Sequence, residues 1–314
     1  MRDMSKPLRV VFMGSPAFAV PSLRRVLADG HAVALVVTQP DRPAGRGYAL
    51  RPPPVKVLAM ERGLPILQPE GLKDGGVLSA LAAARPEVIV VVAFGQFLPR
   101  EVRELPPHGC VNVHASLLPK YRGAAPINWA LIRGETETGI SIMRVEAAMD
   151  AGPVLLQRRV PIAPDEDAGA LHDRLAEEGA CALAEGLGFL AVGQAVWRPQ
   201  DDSRATHAPK ITDAECRLGL PMEPAVFVNR VRGLAPSPGA YLALRDQRLK
   251  ILRAAVRSNG APAGTILEIA DQALVIGTGP GAVALLEVQS EGRRRMAGAE
   301  FARGQRLTAG GSLV

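Results

Sequence analysis

Cysteines, aromatic residues and long apolar runs are all scarce in this chain of 314 residues. The three cysteines, Cys110, Cys181 and Cys216, are odd in number and widely spaced, which argues against a disulfide framework and against a metal site built from close thiolate pairs. We expect reduced thiols and assign Cys110 to core packing. No stretch approaches the roughly 20 apolar residues that span a bilayer, and the first eight residues are too polar for a signal peptide. The sequence therefore predicts a cytoplasmic protein with no membrane partner.

Motifs for common cofactors are absent as well. The turn Gly14-Ser15-Pro16 follows the first apolar run but fits neither G-x-G-x-x-G nor the G-x-x-x-x-G-K-[ST] phosphate loop. A nicotinamide or ATP site is therefore disfavoured. The five histidines show no ligand spacing such as H-E-x-x-H, so we expect no metal.

What the chain does contain is an alternation of apolar runs rich in Val and Ile with stretches rich in helix formers. The predicted strands are 8–12, 33–37, 88–92, 110–114 and 140–145, and the predicted helices are 16–29, 72–84, 124–133 and 167–192. This alternation predicts an α/β fold with a Rossmann-like, doubly wound, mostly parallel sheet. Later in the chain, Gly-rich breaks separate short apolar runs such as 241–244 and 282–288, a pattern that favours a small β-barrel.

The most informative residues are Asn112, His114 and Asp150. Residues two apart on a strand project from the same face, so Asn112 and His114 are expected to face one cleft. The strand should stop near Ser116, because the proline of Leu117-Leu118-Pro119 lacks an N–H and has a fixed φ. Both side chains then lie at the carboxyl end of a strand, where open α/β sheets bind ligands. An amide, an imidazole and a carboxylate together favour chemistry on a carbonyl group.

Each of these residues also fits a purely structural role. Asn112 could cap a turn, His114 could be an interior histidine, and Asp150 could order the turn that follows it. Polarity and spacing alone do not separate the two interpretations. Longer motifs do: segment 112–126, with Lys120-Tyr121-Arg122-Gly123 inside it, and segment 149–153 resemble the two signatures of the folate-dependent formyltransferases. Segments 14–21, 38–47 and 208–211 resemble the same family, and most closely its members that act on methionyl-tRNA.

The resemblance implies transfer of a formyl group from N10 of 10-formyltetrahydrofolate to the α-amine of methionine on initiator methionyl-tRNA, which produces N-formylmethionyl-tRNA for translation initiation. The amine attacks the formyl carbon and leaves negative charge on oxygen. Asn112 and His114 are the expected donors to that oxygen, and His114 also handles protons. Asp150 either favours the cationic imidazole or passes the amine's proton through water, and the sequence leaves both roles open.

For the formyl donor, segment 92–99 resembles the family's pterin-binding loop, and segment 116–119 resembles a folate-contacting stretch. The residues expected to bind the donor are Phe94, Gly95, Gln96, Leu98, Ser116, Leu117, Leu118 and Pro119. Composition alone favours a different reading of the first segment, a strand exit packed by Phe94 and Phe97. The family usually has Tyr where this chain has Phe94, so one hydroxyl contact is absent.

Segment 41–56 is basic and rich in proline and glycine. It contains Arg42, Arg46, Arg51 and Lys56, and we do not predict a helix there. A solvated loop is the default interpretation of such charge. The resemblance implies instead a loop that enters the acceptor end of the tRNA, with Arg42, Arg46 and Lys56 on phosphates and base edges.

The net charge of +6 favours an acidic partner. Residues 211–314 hold 13 Lys/Arg against 9 Asp/Glu and carry most of this excess, including Arg293-Arg294-Arg295. Together with the family's pattern, this predicts a formyltransferase catalytic domain at 1–193, a linker at 194–210 and an OB-like tRNA-binding barrel at 211–314. We expect a monomer.

Two other functions fit parts of the sequence. A related enzyme could keep the donor and the site formed by Asn112, His114 and Asp150 but formylate a sugar nucleotide or another small amine. The basic loop and the basic C-terminal region argue against that reading. The chain could also be a non-catalytic RNA-binding module whose α/β half is only a scaffold.

Overall fold

The computed structural model describes residues 6–44, 49–244, 247–257 and 260–313. The chain divides into two compact units. The first comprises Met1–Gly123, Thr138–Val160 and His172–His207, and the second comprises Ala124–Glu137, Pro161–Leu171 and Ala208–Val314. The domain limits inferred from the sequence, 1–193, 194–210 and 211–314, stay a prediction.

The first unit is built on a seven-stranded sheet. Its strands, with those of a separate hairpin, are β1 (Arg9–Gly14), β2 (Ala32–Val37), β3 (Arg42–Ala44), β4 (Ala49–Arg51), β5 (Ile66–Leu67), β6 (Val88–Val92), β7 (Cys110–His114), β8 (Glu137–Arg144) and β9 (Val154–Pro161). The sheet order is β5-β2-β1-β6-β7-β8-β9, while β3 and β4 pair only with each other.

The centre of this sheet is parallel. β1 pairs in parallel with β2 and β6, β2 with β5, and β6 with β7, whereas β7 and β8 are antiparallel. All five residues of β6 are buried, as expected of a Val-rich strand covered on both faces. The predicted Rossmann-like class is confirmed, and the predicted strands match β1, β2, β6, β7 and β8 within a few residues.

Six α-helices lie between residues 20 and 191 in the described part of the chain. They are α1 (Val20–Ala28), α2 (Pro54–Glu61), α3 (Gly75–Ala83), α4 (Arg100–Arg103), α5 (Pro126–Ile132) and α6 (Ala168–Ala191). The predicted helices correspond to α1, α3, α5 and α6. The first begins later than predicted, because Ala17–Ala19 forms a 3-10 turn before Pro21 occupies the first turn of α1.

The expectation that segment 41–56 contains no helix is wrong at its end. α2 begins at Pro54 and includes Lys56. Proline suits the first turn of a helix, since its missing N–H has no partner there in any case. Val55, Leu58 and Ala59 then bury one face of α2, and most of this apolar face lies beyond the segment from which the prediction was made.

The second unit contains a small antiparallel sheet. Its elements beyond residue 208 are α7 (Asp213–Cys216), α8 (Pro224–Leu234), β10 (Ala240–Leu244), β11 (Gln247–Arg257), β12 (Ile266–Ala270), β13 (Ala273–Gly277), β14 (Ala282–Ser290), β15 (Met296–Ala297) and α9 (Gly298–Gly304). The strands follow the order β10-β11-β14-β13-β12, with β15 paired to β14. Phe227 and Val231 of α8 pack with Leu249, Ile251 and Leu285 of the sheet. The predicted small C-terminal β domain is therefore confirmed.

Candidate active site

The candidate site lies in the first unit, at the carboxyl end of β7. In the register of the sheet, Asn112 stands opposite Val91 of β6, and His114 stands opposite Ser141 of β8. Asn112 is half-buried, and within the described part of the chain its carboxamide makes no hydrogen bond. His114 is buried, with 5% of its surface exposed. The strand therefore presents one free amide and one buried imidazole, two residues apart.

The imidazole of His114 is oriented by a backbone carbonyl. Its Nε2 atom lies 2.9 Å from the carbonyl oxygen of Tyr121. A carbonyl only accepts hydrogen bonds, so Nε2 carries a hydrogen and donates it. Tyr121 adopts a left-handed backbone with φ of 62°, and its own N–H donates to Oγ1 of Thr206 at 2.9 Å. Nδ1 is consequently the ring atom at which His114 can take up or release a proton.

Asp150 faces that second nitrogen. Its Oδ2 atom lies 3.7 Å from Nδ1 of His114, and the two side chains are 16% and 6% exposed. The same oxygen accepts a hydrogen bond from the backbone N–H of Gly123 at 2.8 Å. The structure thus places the carboxylate next to the imidazole, although 36 residues separate the two in sequence. The catalytic roles assigned to Asn112, His114 and Asp150 stay predictions.

The turn that carries Asp150 is sterically restricted. Asp150 has φ of 51°, in the left-handed region that non-glycine residues rarely adopt. Two residues later, a Cβ atom at Gly152 would lie 1.9 Å from the carbonyl oxygen of Arg144. Only glycine therefore fits at this position, and the glycine of segment 149–153 has a steric reason.

The loop after β6 has a buried and an exposed part. Ala93 and Gly95 have positive φ of 47° and 82°, which turn the chain sharply at the end of the strand. Phe94 is 2% exposed and belongs to the core of the sheet, whereas Phe97 is 71% exposed. The alternative that both phenylalanines pack the strand exit is right for Phe94 and wrong for Phe97. The carbonyl of Phe94 accepts from the side-chain amide of Gln39 at 3.1 Å, so beyond Phe94 the exposed part of this loop begins at Gly95.

Segment 116–119 is fixed by side chains of the neighbouring strands. Ser141 of β8 donates through Oγ to the carbonyl of Ser116 at 2.6 Å and accepts from the N–H of Leu118 at 3.0 Å. Gln157 of β9 donates to the carbonyl of Leu118 at 2.9 Å. Among the eight residues expected to bind the donor, Gly95, Gln96, Leu117 and Pro119 are at least partly exposed, while Phe94, Leu98, Ser116 and Leu118 are buried.

The three basic residues expected to contact tRNA differ in their surroundings. Arg42 is exposed at the start of the β3–β4 hairpin. Lys56 donates to Asp41 at 2.7 Å, with the two side chains 20% and 28% exposed. Gln68 also donates to Asp41, at 2.8 Å, and these hydrogen bonds, the one from Lys56 above all, lower the pKa of the Asp41 carboxyl. Arg46 lies outside the described residues.

Groups of three or more His, Cys, Asp and Glu arranged to bind a metal ion are not found among the described residues. None of the helices described there has the length and apolar character needed to cross a membrane.

Comparison with known proteins identifies the family of this chain. Residues 8–187 match the family described as formyl transferase, and residues 210–306 match formyl transferase, C-terminal domain. The chain belongs to the formyl transferase family, which confirms the resemblance drawn from the motifs. It is 47% identical over 306 residues to the methionyl-tRNA formyltransferase of Geobacter sulfurreducens, covering 98% of this chain and 96% of that protein. It is 46% identical to the methionyl-tRNA formyltransferase of Syntrophus aciditrophicus, covering 96% and 98% respectively.

Among solved structures, the fold is similar to HypX from Aquifex aeolicus in complex with tetrahydrofolic acid. The TM-score is 0.66 at 17% sequence identity, and the match covers 95% of this chain and 47% of HypX. This chain therefore corresponds to about half the length of HypX, and the likeness concerns the fold.

Sequence reasoning missed one group of residues around Asp150. Gln200 lies in the predicted linker, yet its side-chain amide donates to the backbone carbonyls of Asp150 and Gly152 at 2.8 and 2.7 Å. Arg122 donates to the same Gln200 side chain. Arg122 was part of a recognised motif but had no assigned role. No local pattern marks Gln200, because its partners lie 48 to 78 residues earlier.

Proposed function

We propose that this chain transfers a formyl group from 10-formyltetrahydrofolate to the α-amine of methionine on initiator methionyl-tRNA. The observation that carries the proposal is the approach of Asp150 to Nδ1 of His114 at the carboxyl end of the strand that also presents Asn112. The near-complete match to two proteins named methionyl-tRNA formyltransferase supports the choice of acceptor.

The carboxamide of Asn112 donates a hydrogen bond to the oxygen of the formyl group. When the amine attacks the formyl carbon, a C–N bond forms and the carbonyl electron pair moves to oxygen. An amide N–H aimed at that oxygen stabilises the negative charge, and loss of one such donor costs about 2.7–4 kcal/mol in acyl-transfer sites. Asn112 suits this role because its amide has no hydrogen-bond partner among the described residues.

His114 manages the proton through Nδ1. Nε2 is engaged by the carbonyl of Tyr121, so Nδ1 takes the proton that the attacking amine loses. When the bond between the formyl carbon and N10 breaks, the same proton goes to N10 of the leaving tetrahydrofolate. The carboxylate of Asp150 stabilises the intermediate imidazolium. The distance of 3.7 Å between Oδ2 of Asp150 and Nδ1 of His114 exceeds that of a direct hydrogen bond. It supports an electrostatic role for the carboxylate.

The formyl donor is proposed to bind the exposed parts of segments 92–99 and 116–119. Flat rings bind between apolar walls with a few placed polar groups. Leu117 and Pro119 are partly exposed and offer apolar surface, while Gly95 and Gln96 expose backbone and amide groups. A side chain at Gly95 would meet no atom within 4 Å, so open space adjoins this backbone.

The tRNA is bound by basic residues, with Arg42 and Arg46 on the acceptor end. Arg42 is exposed, and Leu50 in the opposite strand of the hairpin is 67% exposed. For Lys56 we propose a supporting role in place of a direct phosphate contact. Its ammonium is paired with Asp41, so Lys56 anchors the base of the hairpin and leaves the phosphate contacts to the arginines. Residues 211–314, with 13 Lys/Arg against 9 Asp/Glu, are proposed to supply further phosphate contacts.

The protein is further proposed to be a monomer that is located in the cytoplasm. The net charge of +6 is compatible with a monomeric protein that binds RNA. Light scattering on the purified protein, with and without tRNA, measures the first property directly.

The mass of the reaction product identifies the acceptor. The protein is incubated with 10-formyltetrahydrofolate and, separately, initiator methionyl-tRNA, free methionine or an amino-sugar nucleotide, and the products are weighed by mass spectrometry. The mass of one CO unit should be gained by methionyl-tRNA alone. A gain on the amino-sugar nucleotide alone would support the related small-amine enzyme. Tight tRNA binding without any formyl transfer, unchanged in His114→Ala, would support a non-catalytic RNA-binding module.

A further inference from the structure

We infer that Gln200 is a positioning residue, which fixes the turn that presents Asp150 to His114 and is itself oriented by Arg122. The inference rests on the proposed formyl transfer only for its kinetic consequence. The structural relationship can be tested without any substrate.

The amide of Gln200 binds both ends of the Asp150 turn. Its Nε2 group donates to the carbonyl of Asp150 at 2.8 Å and to the carbonyl of Gly152 at 2.7 Å. The left-handed backbone of Asp150 is unfavourable for a residue other than glycine, and such a conformation persists only where surrounding contacts determine it. Two hydrogen bonds from one side chain that flank the strained residue are contacts of this kind.

The direction of this amide is determined by Arg122. Oε1 of Gln200 accepts from Nε and Nη2 of Arg122 at 3.1 and 2.8 Å. A guanidinium only donates and a carbonyl only accepts, so Oε1 must face Arg122 and Nε2 must face the turn. Flipping the amide would bring donor against donor and acceptor against acceptor.

The side chain of Arg122 is itself held in place by burial and by a second hydrogen-bond partner. It is 9% exposed, and its Nη2 donates to Asp202 at 2.6 Å. A buried cation of this kind needs partners, and Gln200 and Asp202 provide them. The N–H of the next residue, Gly123, donates to the Asp150 carboxylate. Arg122 and Gly123 therefore determine both the backbone of Asp150, through Gln200, and the position of its carboxylate.

The expected consequence of losing Gln200 is a displaced carboxylate with intact substrate sites. Misplacement of a catalytic group by about 1 Å can cost about 100-fold in rate. Gln200→Leu should therefore lower kcat by about 10- to 100-fold, while KM for the folate and for the tRNA stays within a factor of about two. A residue needed only for folding would instead lower the yield and leave kcat of the folded fraction unchanged.

Gln200→Glu separates two explanations. The variant keeps the length of the side chain and an acceptor for Arg122, but it replaces the donor group with an oxygen that faces two carbonyls. We expect a loss of kcat similar to that of Gln200→Leu. If pairing with Arg122 were the only role of Gln200, Gln200→Glu would keep wild-type activity. Gln194→Leu, at an exposed glutamine of the same segment, is the matched control and should behave as the wild type.

The substrate-free measurement is NMR of the protein labelled with ¹⁵N-histidine, with the His114 signals assigned from a His114→Asn variant. In Gln200→Leu the ring nitrogen signals of His114 should move in the same direction as in Asp150→Asn. In Gln194→Leu they should stay in place. Wild-type signals and kcat in a folded Gln200 variant would overturn the inference.

If neither Gln200 variant folds, Asp202→Ala decides, since the Asp202 side chain is 80% exposed and its removal takes away the Arg122 partner without emptying the interior. It must then shift the His114 signals toward those of Asp150→Asn, and unshifted signals reject the inference. If the wild type forms no N-formylmethionyl-tRNA, the proposed function fails, and the NMR comparison still tests the role of Gln200.

Discussion

Nδ1 of His114 lies 3.7 Å from Oδ2 of Asp150 while the opposite ring nitrogen, Nε2, lies 2.9 Å from the carbonyl oxygen of Tyr121. The two contacts make the nitrogens unequal. Nε2 is committed to a permanent donor role, so every protonation change of His114 takes place beside the carboxylate. This arrangement leads to a prediction about charge at position 150.

Asp150→Asn should lower kcat by about 100- to 1,000-fold, because the amide keeps the size of the side chain and an acceptor for the Gly123 N–H but removes the negative charge. Affinity for the folate should change by less than a factor of about three, since the carboxylate is proposed to act on the imidazole and not on the donor. Steady-state kinetics and a direct folate-binding titration measure the two quantities. A parallel loss of folate affinity would contradict the division of roles.

Arg42→Ala should raise KM for methionyl-tRNA and reduce the slope of its logarithm against the logarithm of salt concentration by about one, as expected for loss of one phosphate contact. KM for the folate should stay constant. Kinetics over a series of salt concentrations test this, with Arg24→Ala at an exposed position of α1 as the control. If the slope is the same in Arg42→Ala and in the wild type, Arg42 does not contact phosphate.

Lys56→Met and Asp41→Asn should each raise KM for the tRNA by about two- to fivefold, the range expected of a partly exposed ion pair. The double variant should be no worse than either single one, because both remove the same anchor of the hairpin. Direct phosphate binding by Lys56 predicts another pattern. In that case Lys56→Met raises KM, whereas Asp41→Asn leaves it unchanged or lowers it by removing a negative charge.

His31 should make the protein sensitive to mild acid. It is 8% exposed, its Nδ1 accepts from the N–H of Leu8 at 3.1 Å, and burial lowers its pKa, with Asp29 acting in the opposite direction. The folded state therefore keeps the ring neutral while the unfolded chain takes up a proton. The free energy of unfolding should fall as the pH drops below 6.5, by at most about 1.4 kcal/mol per pH unit from this group.

His31→Asn is the matched variant, since its Oδ1 can accept from Leu8 but does not titrate. Denaturant unfolding at neutral and mildly acidic pH should show a smaller loss of stability in His31→Asn than in the wild type. Identical losses in the two proteins would exclude His31 as a source of the acid sensitivity.

Cys110 should be inert in the folded protein. Burial raises the pKa of its thiol to about 12, with Arg103 opposing the shift, and the thiolate is the reactive form. Iodoacetamide at neutral pH should modify the half-buried Cys181 in the native state and Cys110 only after unfolding. Peptide mass spectrometry after timed alkylation measures both rates, and equal rates would reject the buried thiol.

The same shift has a consequence for stability at alkaline pH. The unfolded chain releases the Cys110 proton near 9.0, whereas the folded chain retains it up to about 12. Relative to Cys110→Ala, the wild type should therefore lose about 1.4 kcal/mol of unfolding free energy per pH unit above 9.0. A constant difference between the two proteins across this range would contradict it.

The features that could be predicted from the sequence are those set by local patterns. β7 and its end before Pro119 follow from strand periodicity and from the chemistry of proline, and the fold class follows from alternating apolar runs. The pairing of Asp150 with His114 came only from the family motifs, because a turn of that kind has no intrinsic partner. Whether Lys56 is paired with a carboxylate, and whether Phe97 is buried or exposed, depends on contacts beyond the local sequence.

Gln200 is the clearest example of a residue whose role cannot be predicted from local sequence patterns. Nothing in Trp197-Arg198-Pro199-Gln200 distinguishes an ordering amide from a solvated one. Its hydrogen bonds become visible only when the segment is placed beside Arg122 and the turn at Asp150. Long-range polar contacts of this type have no period in sequence, so periodicity cannot reveal them.

The close approach at Gly152 also restricts how this loop can change by mutation. A methyl group there would collide with the carbonyl of Arg144, whereas the neighbouring Met149 is 53% exposed and can be exchanged without steric conflict. A library that diversifies this turn can therefore vary Met149 and has to keep Gly152 invariant, so sequence change is tolerated on one side of the carboxylate and excluded on the other.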